Sequence, residues 1–571
     1  MKRIIFFLFG IVCTSMAADL PDGGTDLTEG QPLQSSASPE SGSATAREPT
    51  GQRISITSPN AAKIFGAQFT QPLHGGVEKG EIVLALVKAW ASDAPSGEVM
   101  AKLQLKSAPY TAFAESRAIG VHPTWITLPI LFTADRDIAP GTAAIVLLCG
   151  HKKQTLEVES VQVLKFPQST DPAVFPKLKP VPRTYEGREP DAQWRRLALE
   201  RIERHRKADL ELTVNGKEGN PLVNIDVHIK LRRHAFGFGS AVVAKRFSGS
   251  SVDDQKYREL VDRLFSIVVF ENDLKDGQWA PDLPADRRQQ RNAELNTAID
   301  WLSQRHIGIR GHYLMQVATP YNLHDIKEPA DIRARVLGSV EERLRFVKNR
   351  VVEWDVINHP IAWSGADMLN KRPGLEQLDR DVFILARTLT QLPFFVNEDQ
   401  VFRPGPQCDE TFAYIQALQN AGLDVAGLGN QAHVHESHIP TPEHMLAVTD
   451  RFATVVQHQS ITEFDIVTTE DEQLAADYTR DILIATFSHP AYTSFLLWGF
   501  WEGSHWKPEA ASWTKDWHPR ARGAVLEDLI TKRWHTELDL TTDAEGKISW
   551  RGFPGWYEVQ VGGEKRLLEA K

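Results

Sequence analysis

The sequence predicts an α/β protein: a (β/α)8 TIM barrel with β-sandwich accessory modules on its N-terminal side and a short C-terminal β segment. Three observations carry this. From Phe236 onward, apolar strands alternate with amphipathic helices, eight of each in about 300 residues, as a closed barrel requires. No glycine-rich phosphate loop follows any of these strands, which disfavours the alternative of a doubly wound open sheet. Before the barrel, from Ile54 to about Leu164, short apolar or alternating runs are separated by Gly, Pro, Asp and Ser. That is the spacing of an antiparallel sandwich.

The 571 residues exceed what one core holds, so several domains are expected. Lys2 and Arg3 precede the apolar run Ile4 to Val12, and Ser15-Met16-Ala17 follows, which reads as a secretory signal peptide over residues 1–18. The protein is therefore expected to be secreted or periplasmic. Lipoprotein anchoring through Cys13 is the less favoured alternative, because Gly10-Ile11-Val12 makes a poor lipobox. No later stretch holds 18 consecutive apolar residues, so no membrane span is expected.

Residues 19–53 are rich in Ser, Gly, Pro, Thr and Glu and read as a disordered linker. Residues 54–165 form the expected sandwich, either a carbohydrate-binding module or a spacer. Residues 166–206 read as a proline-rich linker followed by a helix. In 207–234, LELTV and NIDVHIKLRRH flank NGKEGN, a hairpin-like pair with Asn-Gly and Gly-Asn turn signals. The barrel spans 235–534. Residues 535–571 carry TELDLTT, KISWRGF and YEVQVGG, too little to fold alone, and are expected to pack with 207–234 as a small sandwich.

The net charge of −10 is spread along the chain, which argues against nucleic acid or an anionic membrane as partner. Past the leader only Cys149 and Cys408 remain, in different domains, so no structural disulfide is expected. The chain is expected to act as a monomer. Its 15 Trp concentrate after residue 350, where indole faces can stack on sugar rings or simply pack a core.

Barrel chemistry sits at the C-terminal ends of strands. Those ends carry Glu271-Asn272-Asp273 with Lys275, Arg310-Gly311-His312, Asn358-His359, Asn397-Glu398-Asp399, Asn430-Gln431 with His433, Glu463 with Asp465, and Trp498 followed by Trp501, Glu502 and Trp506. There is no HExxH pattern, cysteine-rich cluster or GxSxG elbow. His433 and His435 alone are weak ground for a metal, so neither a metal nor another cofactor is expected. Amides, carboxylates and indoles together suit a polyhydroxylated ligand. An unpaired carboxylate at the position of Glu463 is costly unless it works. Asp355 lies three residues before Asn358, so strict alternation turns it toward the helix layer, as a packing ion pair. Lys275 reads either as a ligand to substrate or as a solvated surface lysine.

Eight segments then occur in one order: FGFGSAV, FENDLK, IRGHYL, WDVIN, FFVNED, GLGNQAH, ITEFDI and LLWGFWEGSHW. Each resembles the corresponding strand of glycoside hydrolase family 10, the retaining xylanase family, over roughly residues 235–535. The resemblance implies Glu463 as nucleophile. It implies substrate contacts from Glu271, Asn272, Lys275, His312, Asn358, Gln431, His433, Trp498 and Trp506, and a β-1,4-linked, xylan-like polysaccharide as substrate. Two residues depart from the family pattern. His359 stands where the family keeps its acid/base Glu, and Gln316 stands where it keeps a Trp.

Retaining hydrolysis uses one carboxylate as nucleophile and a second group as proton donor and acceptor. Three readings follow. His359 carries the proton; or Glu502, Glu398 or another carboxylate does so while His359 only binds; or the barrel is catalytically weakened and binds carbohydrate.

Overall fold

The computed structural model describes residues 21–571 apart from 22, 93–96, 179–182, 281, 362–365, 404, 437 and 469–470. The signal-peptide reading of residues 1–18, with Cys13, lies outside the described residues. Two compact units divide the chain between Arg183 and Thr184.

The N-terminal unit is a sandwich of two antiparallel sheets. One orders Gly42–Ala46, Gln52–Ile56, Gln154–Phe166, Ile82–Ala91 and Ile126–Thr133, with Thr25–Asp26 added beside Gln154–Phe166. The other orders Gln34–Ala37, Ala67–Pro72, Ala143–Leu148, Gly97–Leu105 and Ala112–Val121. Residues 25–53 are thus not a disordered linker but part of this sandwich. Their small side chains add little to a core, yet at sheet edges they need only supply backbone pairing. Gly42 shows why a small residue is needed there: a Cβ would lie 2.0 Å from the Ser55 carbonyl oxygen on the neighbouring strand. Leu27, Ile54 and Ile56 provide the apolar anchors and are fully buried.

The second unit is built on eight parallel strands: β1 (Gly237–Val242), β2 (Ile267–Phe270), β3 (Gly308–Gln316), β4 (Glu353–Asn358), β5 (Phe394–Glu398), β6 (Gly427–Asn430), β7 (His458–Val467) and β8 (Tyr492–Leu497). Each pairs with the next, β6 meets β7 at Gly427 and His458, and β8 returns to β1 at Ser494 and Gly237. The sheet closes as a TIM barrel. The strands are buried on both faces, which is why they read as nearly continuous apolar runs. A short strand, His433–His435, extends the rim by pairing with the end of β7, His433 opposite Asp465.

The segment 184–190 belongs to this unit and is no linker, and the expected helix follows it as Gln193–His205. Tyr185 donates to Asp481 at 2.8 Å, and Trp194 Nε1 donates to the Gly187 carbonyl at 2.8 Å. Arg195 on the helix Gln193–His205 forms a buried ion pair with Asp481 on the helix Glu472–Ser488, 2.6 Å apart. Below the barrel, Ala208–Thr213 pairs with Lys547–Gly552, while Asp226–His234 lies between Glu537–Thr541 and Gly555–Val561, with Glu564–Ala570 outside it. The hairpin expected within 207–234 forms only at its turn, where Asn215 bridges Pro221 and Leu222 N donates to the Val214 carbonyl at 2.9 Å. Its two strands lie in separate sheets, because the C-terminal strands are the partners that let both apolar faces meet one core. Leu210, Ile548 and Trp550 enter that core from one sheet and Val227, Ile229, Tyr557 and Val559 from the other.

Two irregularities matter for the site. The β3–β4 register shifts between His312 and Met315, and the β4–β5 register shifts between Asp355 and Ile357. Such bulges re-aim side chains at strand ends.

Candidate active site

Glu463 stands on β7 with 5% of its surface exposed. Its Oε1 accepts from Asn397 Nδ2 at 2.7 Å and lies 3.9 Å from His312 Nε2. Its Oε2 lies 3.4 Å from His433 Nε2. Burial by itself raises this carboxyl, but the His433 hydrogen bond and the charges of His312, His433 and Lys275 overcome it and bring the pKa down to about 2. The group is therefore a fixed anion at any ordinary pH.

The other ring nitrogen of His433, Nδ1, is 3.0 Å from Asp465 Oδ2, so both ring nitrogens face carboxylates. Burial opposes the charge on His433, but Asp465 and Glu463 push its pKa up to about 10. Asp465 thus holds the histidine that holds Glu463. It also accepts from Trp506 Nε1 at 2.8 Å.

Asp355 does not face the helix layer as strict alternation predicts. It is fully buried inside the barrel, accepting from Arg310 Nε at 3.0 Å and from His312 Nδ1 at 2.9 Å. The bulge after Asp355 breaks the two-residue period, so Asp355 and Asn358 both turn inward. Arg310 also binds Glu353. Burial lowers the Arg310 pKa, and the two carboxylates more than compensate, raising it above its ordinary value. Nδ1 of His312 donates to the Asp355 carboxylate, which turns Nε2 toward Glu463.

Across β5 and β6 the site changes character. Asn397 Nδ2 also donates to Asn358 Oδ1 at 2.9 Å, and Gln431 Nε2 donates to that same oxygen at 3.1 Å. Asn397 is oriented in turn by Thr462, whose hydroxyl donates to Asn397 Oδ1 at 2.7 Å. Gly429 makes this possible, since a Cβ there would lie 2.3 Å from Asn397 Oδ1. His359 follows Asn358 in the left-handed region at φ 49°, with its amide donating to the Asn397 carbonyl at 2.9 Å. Its Nε2 is 3.3 Å from Gln431 Nε2, and its Nδ1 is 3.8 Å from Glu398 Oε1. A run of amides, Gln431–Asn358–Asn397, therefore links His359 to Glu463.

The remaining predicted ligands lie around this core. Lys275 is no solvated surface residue: its Nζ lies 5.2 Å over the Trp498 ring. Burial lowers its pKa, with Glu463 and Glu271 opposing. Glu271 is half-buried and raised by burial, with Lys275 opposing, while Asn272 beside it is exposed. Trp498 is buried, with its ring 5.2 Å from that of His312. Trp506 is 48% exposed, its ring 5.1 Å from that of His433. Gln316 accepts from Asn358 Nδ2 at 3.2 Å, so it belongs to the amide run and offers no ring face.

Trp501 is buried and stacked on Trp517 at 4.5 Å, a packing role. Glu502 accepts from Arg520 at 2.9 Å and from the Lys515 amide at 3.1 Å, which ties it to the loop after β8. Asn397, Thr462 and Asp465 were not among the residues predicted as ligands or catalysts. The available signal was their strand-end position and, for Asp465, its phase with Glu463. Among the described residues, no group of three or more His, Cys, Asp or Glu is placed to hold a metal ion.

The family model described as Glycosyl hydrolase family 10 matches residues 229–522, which contain every side chain of this site. The chain belongs to glycosyl hydrolase family 10. Among curated relatives, Anti-sigma-I factor RsgI6 of Acetivibrio thermocellus is 28% identical over 374 residues, 65% of this chain and 47% of that protein. Endo-1,4-beta-xylanase 1 of Arabidopsis thaliana is 24% identical over 373 residues, 62% of this chain and 36% of that protein. This family 10 chain thus spans about half or less of the length of these relatives. Among solved structures, xylanase 10B of Thermotoga petrophila RKU-1 in complex with xylobiose aligns with a TM-score of 0.46 and 19% identity, over 52% of this chain and 95% of that one.

Proposed function

We propose that the protein is an exported glycoside hydrolase that cleaves a β-1,4-linked, xylan-like polysaccharide with retention of anomeric configuration. Glu463 is the nucleophile and His359 the proton carrier. The observation that carries this reading is the state of Glu463: a buried carboxylate kept ionised by His433, with Asn397 and His312 holding its orientation. A side chain so arranged is ready to attack an electrophilic carbon. The amide run to His359 and the Trp498–Lys275 wall suit the hydroxyls and the C–H face of a sugar.

In the first step, the C1–O bond to the leaving sugar breaks as Glu463 bonds to C1, and an imidazolium at His359 gives its proton to the departing oxygen. In the second step, neutral imidazole takes a proton from water as that water's oxygen bonds to C1 and releases Glu463. Two carboxylates considered as replacement donors are engaged elsewhere, Glu502 with Arg520 and Glu398 with backbone amides.

One feature favours a second reading, a catalytically weakened barrel that binds carbohydrate without turnover: by the sequence resemblance, His359 stands where the family keeps its acid/base carboxyl. Incubation with purified polysaccharides and aryl glycosides, with NMR of the product anomers, separates the two. Retained-anomer products that vanish in Glu463→Gln support the hydrolase. No product from any substrate, with undiminished binding in Glu463→Gln, overturns it. His359→Glu adds a second arm, because a gain of activity on unactivated xylan identifies the histidine as the limiting part.

A further inference from the structure

We infer that Glu398 is a positioning residue for His359, so that an imidazole–carboxylate pair stands where the family uses a single carboxyl. The inference rests on the reading of His359 as proton carrier. It goes further by assigning the group that supports it.

The geometry is specific. Glu398 ends β5 and is fully buried. Backbone amides hold its carboxylate: Asp399 N donates to Oε1 at 2.7 Å, Gln400 N to Oε1 at 3.4 Å, and Ile361 N to Oε2 at 2.9 Å. The last of these ties β5 to the turn that carries His359. The left-handed backbone at His359 and its amide bond to Asn397 fold the ring back over β5, so Nδ1 comes to 3.8 Å from Oε1 while Nε2 is left on the Gln431 side. Catalytic hydrogen bonds in ligand-free structures are often long and tighten when substrate closes the site.

Burial pushes the Glu398 carboxyl up, but the bond and charge of His359 and the amides of Ile361 and Asp399 bring it below the usual carboxylate range. Its anionic form is therefore the one opposite the ring. Asp399 also senses the charge of His359. Burial raises it, and it lies 3.5 Å from Arg403 and senses the charge of His433. On the β6 side the ring meets the neutral Gln431.

A buried anion at Nδ1 does for His359 what carboxylate partners do for other working histidines. It sets the tautomer, so that Nε2 is the nitrogen that exchanges a proton with the glycosidic oxygen and then with water. It also stabilises the imidazolium needed before the first step, without itself losing or gaining a proton.

The test is an NMR titration of the His359 ring in the full chain labelled with 15N-histidine, the signal being assigned by its loss in His359→Asn. In Glu398→Gln the midpoint falls by at least one pH unit, a tenfold or greater loss of proton affinity. Glu398→Asp keeps the charge but draws it back by one methylene, and lowers the midpoint by a smaller amount. On polysaccharide, kcat of Glu398→Gln falls about tenfold or more with KM unchanged, and the alkaline limb of its pH profile moves to lower pH by the NMR shift. An unchanged midpoint in either folded variant overturns the assignment. Because the titration needs no turnover, a shifted midpoint in a protein that cleaves nothing refutes the hydrolase reading and leaves the pair standing.

Discussion

The two sides of the cleft are built differently. On the β7 side, Glu463 accepts from Asn397 on β5 and lies 3.4 Å from His433 on the short strand after β6 and 3.9 Å from His312 on β3, and each of these is oriented by a further buried group: His312 by Asp355, Asn397 by Thr462, His433 by Asp465. On the β4 side, His359 sits past the strand end in a left-handed turn, with its side chain 18% exposed, a neutral amide on one nitrogen and a carboxylate 3.8 Å from the other. The contrast teaches that the surroundings of Glu463, the proposed nucleophile, demand one ionisation state, whereas His359 is met by a neutral amide on one side and an anion on the other. A nucleophile needs one state, and a group that first gives and then takes a proton needs both.

The largest expected effect comes from removing the rigid side's working group. Glu463→Gln lowers kcat by roughly 10⁴-fold or more while the dissociation constant for an oligosaccharide changes little, as measured by steady-state kinetics and calorimetry. His359→Ala comes next, with a loss of about 10²–10⁴-fold on unactivated polysaccharide. The loss is much smaller on aryl glycosides whose leaving groups need no proton. Equal losses on both substrate types would place His359 on the rigid side of the comparison.

His433→Asn tests what keeps Glu463 ionised. With the His433 charge gone, burial raises the Glu463 pKa from about 2, and activity is lost at acid pH with the neutral range less affected. The sign for stability follows from the raised pKa of His433. Its contribution is complete below the ordinary value near 6.5 and is lost as pH rises through about 10. The Tm of the wild type should therefore exceed that of His433→Asn by more at neutral pH than at pH 10, the difference shrinking as pH rises through that range.

Asp355→Ala leaves Arg310 and Glu353 buried and incompletely paired. It is expected to destabilise the barrel by about 3–5 kcal/mol in a denaturant titration. The smallest effect belongs to the exposed indole. Trp506→Ala raises KM by a factor corresponding to about 0.5–1.5 kcal/mol and leaves kcat nearly unchanged.

Much of this was legible because barrels separate folding from chemistry. Strand periodicity and helix amphipathicity announce the scaffold, and polar residues at strand ends announce the rim. Glu463, His359 and Gln431 could be read that way because each lies at the end of an apolar run. Asp355 could not, because a bulge one residue later changes the face to which it turns, and a bulge has no sequence signature of its own here. Asn397 was visible as a strand-end amide, but its bond to Glu463 depends on β5 and β7 approaching across a glycine on β6. The strands over 25–53 were missed because edge strands are stabilised by backbone pairing, which leaves small polar sequences looking unstructured. The hairpin in 207–234 was expected from turn signals, but its two strands found better partners more than 300 residues away.

What the sequence determined by itself was the order of apolar strands and helices, and the residue types delivered to the barrel's mouth, including the imidazole of His359 at the end of β4. Those follow from local periodicity and from the rule that parallel barrels expose the carboxyl ends of their strands. Only the tertiary structure decided which of those residues work together: that His433 joins Asp465 to Glu463, that Asp355 turns inward, and that Glu398 lies behind His359. Such pairings depend on closure and register across many residues, where a shift of one position sends a side chain to the opposite face.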